Sequence, residues 1–221
     1  MKLLLSAFIK FIVGLGLVIC LIFFPAGSIY YMNGWLFIGL LFIPMLLLGI
    51  VLFIKSPELL EKRLNSKEKE NTQKGVVTVS GLLFLVGFVV AGLDYRFSFS
   101  RVPVWVVAIA SVLLLVSYAF YIEVMRENAY LSRTIEVQNG QKVIDTGLYG
   151  IVRHPMYAVT IWLFLAIPVL LGSWWSALCF LPYIPIIIVR ILNEEKVLSD
   201  GLDGYIEYKK RVKYRIIPYV W

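Results

Sequence analysis

The stretch YAVTIWLFLAIPVLLGSWWSALCFLPYIPIIIVRIL, residues 157–192, decides the fold. It holds two apolar segments, Tyr157–Leu171 and Trp175–Leu192, which are separated by a short turn containing Gly172 and Ser173. Apolar runs of about this length indicate helices that cross a membrane, since a span needs roughly 20 apolar residues. Because the connection is so short, the two helices are predicted to form a tight antiparallel hairpin.

The rest of the chain repeats this apolar pattern. Of its 221 residues, 60% are apolar, which exceeds the usual share of about 45–50% in soluble domains. The predicted fold class is an all-α polytopic membrane protein with about six transmembrane helices. The first run is too long for a typical signal peptide and contains Lys10, which favours a retained helix. The four runs before the hairpin are Leu3–Phe24, Trp35–Ile54, Val76–Leu93 and Val104–Ile122.

The distribution of basic residues predicts an orientation in the membrane. The segments 55–74 and 123–156 hold six and four basic residues, whereas 25–34 holds none and 94–103 holds two. By the positive-inside rule, the two basic segments and both termini are expected in the cytoplasm. The net charge of +7 is then explained by topology and by contact with the lipid bilayer, the expected partner. Nucleic-acid binding is excluded.

Two polar clusters flank the hairpin. One is Arg153–Tyr157 at its entrance, and the other is Arg190–Glu195 at its exit. Since an antiparallel hairpin returns to the membrane face where it began, the two clusters are predicted to converge at the cytoplasmic boundary. The region 123–221 is therefore assigned as catalytic, with a cofactor loop, the hairpin and an amphipathic tail. The region 1–122 is assigned as a scaffold of four transmembrane helices.

The residue types in these clusters suit a zwitterionic ligand. Pro155 fits the first turn of a helix, and such a helix start presents N–H groups and a positive dipole end to a carboxylate. Arg153 and His154 add donors beside it. Arg190 and Glu194 are four residues apart, so they share one helix face and offer a cation and an anion.

Each of these signals also has a purely structural interpretation. His154, the only histidine in the chain, is also explained as an interfacial anchor. Arg190 and Glu194 also fit a local ion pair. Four tyrosines also fit an aromatic belt at the membrane surface, namely Tyr149, Tyr157, Tyr205 and Tyr208.

The segments on either side of the hairpin extend the candidate site. Upstream, QNGQKVIDTGLY (138–149) is polar, with a predicted turn at Asn139–Gly140 and a hinge at Gly147, and is interpreted as a lid. Downstream, DGYIEYKKRVKYRIIPY (203–219) interleaves aromatic and basic residues, as expected of an interfacial helix. Nucleotide-binding and zinc motifs are absent from the sequence, so no metal is predicted and any cofactor is expected to bind without a Rossmann fold.

The combination of motifs resembles the isoprenylcysteine carboxyl methyltransferase family, which belongs with the phospholipid N-methyltransferases. The resemblance covers about residues 130–218. It rests on GLY at 147–149, RHPMY at 153–157, RILNEE at 190–195, EYKKRV at 207–212 and Pro218.

The resemblance implies S-adenosyl-L-methionine as cofactor, held at the cytoplasmic membrane face. Arg190 and Glu194 are the implied catalytic residues, with Arg190 facing the substrate and Glu194 also facing the cofactor. The other implied cofactor residues are Gln141, Lys142, Val143, Ile144, Leu148, Tyr149, His154, Pro155, Met156 and Tyr157.

The predicted function is methyl transfer from S-adenosyl-L-methionine to a lipophilic acceptor that enters from the bilayer. A carboxyl group is the favoured acceptor, because no side chain stands out as a general base for an amine; a thiol or an amine is the alternative. A membrane reductase that uses NADPH is a rival, since sterol reductases share a related carboxy-terminal region. NADPH has several phosphates, so the reductase would need more basic side chains near the site than Arg153 and Arg190. A non-catalytic scaffold or transporter is the other rival. The oligomeric state is left open.

Overall fold

A computed structural model gives the fold and describes residues 2–65 and 71–221. No strand occurs in these two ranges, so the predicted all-α fold class is confirmed. A short 3-10 turn spans Gly147–Gly150. The helices are α1 (Lys2–Ala26), α2 (Met32–Lys55), α3 (Pro57–Leu64), α4 (Asn71–Phe97), α5 (Val104–Glu127), α6 (Pro155–Leu170), α7 (Trp174–Phe180), α8 (Tyr183–Gly201) and α9 (Tyr205–Arg211).

Within the described ranges, five segments are long and apolar enough to cross a membrane. They are Lys2–Ala26, Met32–Lys55, Gln73–Phe97, Val104–Glu127 and Trp174–Gly201. The sixth predicted segment corresponds to α6, which has 16 residues and is therefore about 24 Å long. This is shorter than the roughly 30 Å hydrocarbon core. The prediction of about six spans is thus confirmed as five full spans and one short apolar helix.

The last predicted span is not one continuous helix. The chain turns at Leu181 and Pro182, which separate α7 from α8. Pro182 has no N–H to donate, and the Leu181 N–H bonds back to Leu178 in a tighter turn. The single segment predicted at Trp175–Leu192 is therefore corrected to two successive helices, the second of which extends to Gly201.

The bundle is held together by apolar packing of α4, α5, α6 and α7. α6 packs along α5, while α4 packs against α1 and α7. Gly87 on α4 faces the ring of Phe180 on α7, where an added Cβ would lie only 2.2 Å from the ring. This glycine is therefore what allows the two helices to approach closely.

The turn of the hairpin is fixed by a buried carboxylate at the end of α4. Asp94 accepts hydrogen bonds from the Ser100 backbone N–H at 2.7 Å and from the hydroxyl groups of Ser100 and Ser173. The side chain is 1% exposed. The Tyr31 hydroxyl donates to the Leu171 carbonyl in the same region. These contacts hold the hairpin turn at the end of the bundle opposite its polar clusters.

The basic 55–74 connection contains a short helix. This helix is α3, and the Lys62 and Arg63 side chains bond the carbonyls of Ala129 and Ser132. The α3 helix therefore packs on the segment that follows α5. Residues 66–70 of this connection lie outside the described residues.

Candidate active site

A cavity of about 480 Å³ lies at the open end of the hairpin. Small-molecule sites usually have volumes of roughly 300–1,000 Å³. Ten of the predicted site residues line it, whereas Leu148 and Pro155 do not. The ten are Gln141, Lys142, Val143, Ile144, Tyr149, His154, Met156, Tyr157, Arg190 and Glu194.

Tyr157 joins the two polar clusters across the hairpin. Its hydroxyl donates to Glu194 Oε2 and accepts from Arg190 Nε at 3.0 Å. Arg190 Nη2 also donates to the Arg133 carbonyl at 2.8 Å. The hairpin thus brings the predicted pair to one wall of the cavity, with an aromatic hydroxyl between the cation and the anion.

Glu195 is the centre of a buried ion network that sequence reasoning missed as a site element. Its Oε1 lies 2.7 Å from Arg153 Nε and 3.3 Å from His154 Nε2. Its Oε2 lies 3.1 Å from Arg215 Nε and 3.9 Å from Lys209 Nζ. Glu195 is only 3% exposed, and a buried carboxylate is tolerated when it is paired in this way.

This network changes the interpretation of the hairpin entrance. His154 is 5% exposed and bonded to Glu195, so the alternative interpretation as an interfacial anchor is wrong. Arg153 was expected to donate to a ligand, but its guanidinium binds Glu195 and the carbonyls of Val212 and Lys213.

The backbone at the helix start is also less open than predicted. The N–H groups of Arg153 and His154 donate to the carbonyls of Tyr214 and Arg215, at 2.9 and 2.8 Å. The Tyr157 N–H bonds back to the His154 carbonyl. The chain's own tail therefore uses donors that we expected to serve a ligand carboxylate.

The tail is helical only over Tyr205–Arg211, so the long interfacial helix predicted at 203–219 is corrected to a single short helix. Tyr205, Tyr208 and Val212 pack with Val137 and Val143 in a core of their own. The aromatic-belt interpretation is therefore wrong for Tyr205 and Tyr208.

Tyr149 is equally remote from a surface belt. The Tyr208 hydroxyl donates to its carbonyl at 2.7 Å, and Asn128 Nδ2 donates to its hydroxyl at 3.0 Å. Tyr149 is buried in the core beside α5 and α6. The aromatic-belt interpretation is wrong for this residue as well.

Gly147 lies at a point of close approach to the end of α5, and its role as a hinge stays a prediction. The Glu127 carboxylate at the end of α5 accepts from the Leu148 N–H at 2.9 Å. A Cβ on Gly147 would lie 1.7 Å from Glu127 Oε1, and the backbone φ of Gly147 is +55°. Glycine is needed here because it tolerates positive φ and leaves room for the carboxylate. The partly buried Leu148 side chain packs against the cluster that contains Tyr149, and it does not line the cavity.

The cavity has a polar part and an apolar part. The polar part is formed by residues 141–144 and Tyr149, by the end of α8 and by α9. The apolar part runs along α4, which contributes Val76, Val77, Ser80, Gly81 and Phe84. The α4 helix lies in the region 1–122 that the sequence assigned to the scaffold.

Two further arginines line the cavity. These are Arg63 on α3 and Arg133 in the segment after α5. The Arg133 side chain is exposed at the surface. Partial burial and the neighbouring charges of Arg63 and Arg190 nevertheless lower the pKa of Arg133. No sequence motif singled out either arginine, because both belong to basic segments that topology already explained.

Tyr205 presents a polar atom suited to a ligand. Its hydroxyl is buried and, within the part of the chain that the structure describes, has no hydrogen-bond partner. Burial, with the charges of Glu195 and Glu194, raises the pKa of Tyr205 well above its ordinary value, so the hydroxyl keeps its proton. A buried hydroxyl without a partner is unfavourable, and Tyr205 lines the cavity. A polar group on a bound molecule would satisfy it.

Comparisons with known proteins agree with the sequence resemblance. Residues 105–202 match the family model described as phospholipid methyltransferase. The chain is also similar to the Delta(14)-sterol reductase of Mus musculus, with 33% identity over 99 residues. That match covers 40% of this chain and 22% of the reductase, so it spans about a fifth of that relative's length. The similarity to the phospholipid methyltransferase family thus covers residues 105–202, which is less than half of the chain.

Proposed function

We propose that the protein transfers a methyl group from S-adenosyl-L-methionine to a lipophilic acceptor. The observation that carries this proposal is a cavity with both polar and apolar lining residues, in which the Tyr157 hydroxyl joins Arg190 to Glu194. The family match over residues 105–202 supports the methyltransferase class.

The polar part of the cavity suits the cofactor. S-adenosyl-L-methionine supplies a methyl group on a positively charged sulfur. The Glu194 carboxylate offers the complementary charge, and the unpartnered Tyr205 hydroxyl offers a hydrogen bond. Gln141–Ile144 and Tyr149 form the remaining wall of this part. We assign His154 a positioning function, since its ring is already engaged by Glu195.

The apolar part of the cavity suits the acceptor. Arg190 lines the same cavity one helical turn from Glu194, and it would orient the acceptor's reacting group. Tyr157 holds the Arg190 guanidinium in place through its hydroxyl. We attribute catalysis to orientation of the two reactants and exclusion of water, since a carboxyl acceptor needs no general base.

The site belongs, in this proposal, to the cytoplasmic face. The basic segments 55–74 and 123–156 support that orientation by the positive-inside rule. Both termini are then cytoplasmic, because α1 begins at the end of the bundle where α3 lies, with Lys10 bonded to the Leu64 carbonyl.

A reductase remains the second candidate for two specific reasons. One is the similarity to the sterol reductase. The other is that Arg63, Arg133 and Lys142 line the cavity in addition to Arg190, which meets part of the expected need of NADPH for basic side chains. NADPH has nearly twice as many non-hydrogen atoms as S-adenosyl-L-methionine, which favours the smaller cofactor for a cavity of about 480 Å³.

Calorimetry with the purified full-length protein separates the two candidates. We expect S-adenosylhomocysteine to bind and NADPH not to bind. Glu194→Gln should weaken S-adenosylhomocysteine about tenfold to a hundredfold, as expected for a lost charge-assisted interaction. Glu207→Gln is the control, because Glu207 is exposed and outside the cavity lining. Binding of NADPH without S-adenosylhomocysteine would refute the methyltransferase proposal.

A further inference from the structure

The two ends of the hairpin are held in different ways. The turn at Gly172 and Ser173 fixes the closed end covalently. At the open end, where the candidate site lies, α6 begins at Pro155 and α8 ends at Gly201, so their separation depends on non-covalent contacts. Residues 212–221, which we call the strap, supply contacts to both helix ends and lie outside the part of the chain that matches the family.

The strap binds the start of α6 through its backbone carbonyls. The N–H groups of the two residues before Pro155 donate to the carbonyls of Tyr214 and Arg215, at 2.9 and 2.8 Å. The Arg153 guanidinium donates to the two strap carbonyls that precede these, at 2.7 and 2.9 Å. Four consecutive strap carbonyls therefore hold the entrance of the hairpin.

The Arg215 side chain binds the end of α8. Its Nε and Nη2 each lie 3.1 Å from Glu195 Oε2. The other oxygen of this carboxylate lies 2.7 Å from Arg153 Nε at the start of α6. Glu195 therefore joins the strap, α6 and α8 at one point. It is also paired with His154 at 3.3 Å and Lys209 at 3.9 Å, so the carboxylate keeps partners when Arg215 is changed.

The end of the strap packs on the apolar side of the hairpin. Ile216 and Trp221 pack against a buried cluster of α8 that includes Ile191, and side chains of α6 pack against the same cluster. The Arg215 guanidinium lies 4.9 Å from the centre of the Trp221 ring, within the range of a cation–π contact. The polar and apolar contacts of the strap are therefore linked to each other.

The strap is folded compactly by its own backbone hydrogen bonds. The N–H groups of Arg215, Ile216 and Ile217 all donate to the backbone oxygen of Trp221, at 2.8, 3.1 and 3.3 Å. The Trp221 N–H donates back to the Ile217 carbonyl at 3.1 Å. Non-helical backbone beside a membrane needs its polar groups satisfied in this way. The strap is thus a closed loop that brings Arg215 and Trp221 together.

These contacts lie next to the residues of the candidate site. Tyr157 is in the first turn of α6, and Glu194 directly precedes the strap-bound Glu195 on α8. We infer that the strap sets the separation of α6 and α8 at the site, with Arg215 and Trp221 as positioning residues for Tyr157 and Glu194. The consequence for cofactor binding rests on the proposed function, whereas the consequence for helix separation does not. A displacement of about 1 Å can lower a reaction rate about a hundredfold.

The distance between spin labels on the two helix ends tests the inference in the full-length protein. The labels are attached to cysteines that replace Ile151, just before α6, and Lys196 on α8, both of which are exposed. The native Cys20 and Cys179 are first changed to serine.

Two independent changes in the strap should both move the labels. Arg215→Gln removes the bond to Glu195, and Trp221→Ala removes apolar packing without changing a charge. We expect each to lengthen the mean distance or to widen its distribution by about 1–2 Å or more. Arg215→Lys keeps the charge but loses the planar fork, so its distance should be intermediate. S-adenosylhomocysteine affinity should fall about tenfold in Arg215→Gln and Trp221→Ala.

The strap also offers two matched controls. Lys213→Gln removes a positive charge from an exposed side chain two residues before Arg215. Tyr219→Ala removes an aromatic ring from a residue that is 88% exposed. Both variants should leave the distance between the labels unchanged. Cooperative thermal unfolding establishes that each variant is folded, and if one strap variant does not fold, the other decides.

An unchanged distance in folded Arg215→Gln and Trp221→Ala would overturn the inference, as would an equal change in Lys213→Gln. A lower Tm without a change in distance would assign the strap to stability alone and would also overturn it. If the distance changes as expected while the unmodified protein binds NADPH and not S-adenosylhomocysteine, the methyl-transfer proposal fails and the inference about the strap stands.

Discussion

The adjacent residues Glu194 and Glu195 should behave in opposite ways when each is changed to glutamine. Glu195 is buried in a network of ion pairs with Arg153, His154 and Arg215. Glu194 is half-buried at the cavity wall and accepts a hydrogen bond from Tyr157. Both substitutions keep the size of the side chain and remove one charge. The structure therefore predicts a loss of stability for Glu195→Gln and a loss of ligand binding for Glu194→Gln.

The expected magnitude for Glu195→Gln follows from its burial. Removing one partner of a buried ion pair costs about 3–5 kcal/mol, because the remaining charge is left uncompensated. Arg153 is the residue left in that position, since it is only 7% exposed. For a chain of this size the loss corresponds to a fall in Tm of roughly 6–20 °C. Glu194→Gln should lower stability by less than about 1 kcal/mol.

Thermal unfolding in detergent, followed by tryptophan fluorescence, measures both effects under identical conditions. Glu207→Gln is again the exposed control. S-adenosylhomocysteine affinity is then measured on each folded variant. A Tm for Glu195→Gln within about 2 °C of the unmodified protein, or a larger fall for Glu194→Gln than for Glu195→Gln, would refute the assignment of a structural hub beside a ligand-binding residue.

Three further predictions concern other parts of the fold. Gly147→Ala should lower the free energy of unfolding by about 2 kcal/mol or more, because of left-handed backbone strain and displacement of the Glu127 carboxylate. Denaturant unfolding should show that adding Glu127→Ala to this variant restores part of the lost stability, and no restoration would exclude the clash. Asp94→Asn should lower the free energy of unfolding by about 1.5–3 kcal/mol, because its hydrogen bonds to Ser100 are weakened. The affinity for S-adenosylhomocysteine should stay within about twofold, because the candidate site is at the other end of the bundle. A large loss of affinity would contradict that separation. A cysteine at Asn139 should react with an impermeant reagent only after cell lysis, and labelling of intact cells would reverse the proposed orientation.

The sequence alone predicted the hairpin and ten of the residues that line the cavity. Apolar run length predicted the spans, and the short turn at Gly172 predicted that Tyr157 and Glu194 would lie on the same side of the bundle. These inferences succeeded because they depend on helix geometry, which is nearly the same in every sequence. The two-residue break at Leu181 was missed, since Pro182 was treated as an ordinary member of an apolar run.

The contacts that the sequence could not predict are all long-range. Glu195 follows Glu194 directly, and no pattern distinguishes the residue that faces the cavity from the one that faces the buried arginine. Successive side chains on α8 point about 100° apart around the helix axis, so the two carboxylates face different surroundings. Glu195 faces the side on which Arg215 of the tail lies. The position of Arg63 in the cavity wall could not be predicted either. It depends on the packing of α3 against the segment after α5, and these two parts are far apart in the chain.

Transfer of a labelled methyl group by the purified protein is the most direct test of the proposed activity. The protein is incubated with S-adenosyl-L-methionine labelled in the methyl group and with a lipid extract from the source membranes, and label is counted in the organic phase. We expect incorporation that Glu194→Gln and Arg190→Lys each reduce at least about tenfold, while Glu207→Gln has little effect. No incorporation above a boiled-protein control, in a preparation that binds NADPH, would contradict the methyltransferase proposal.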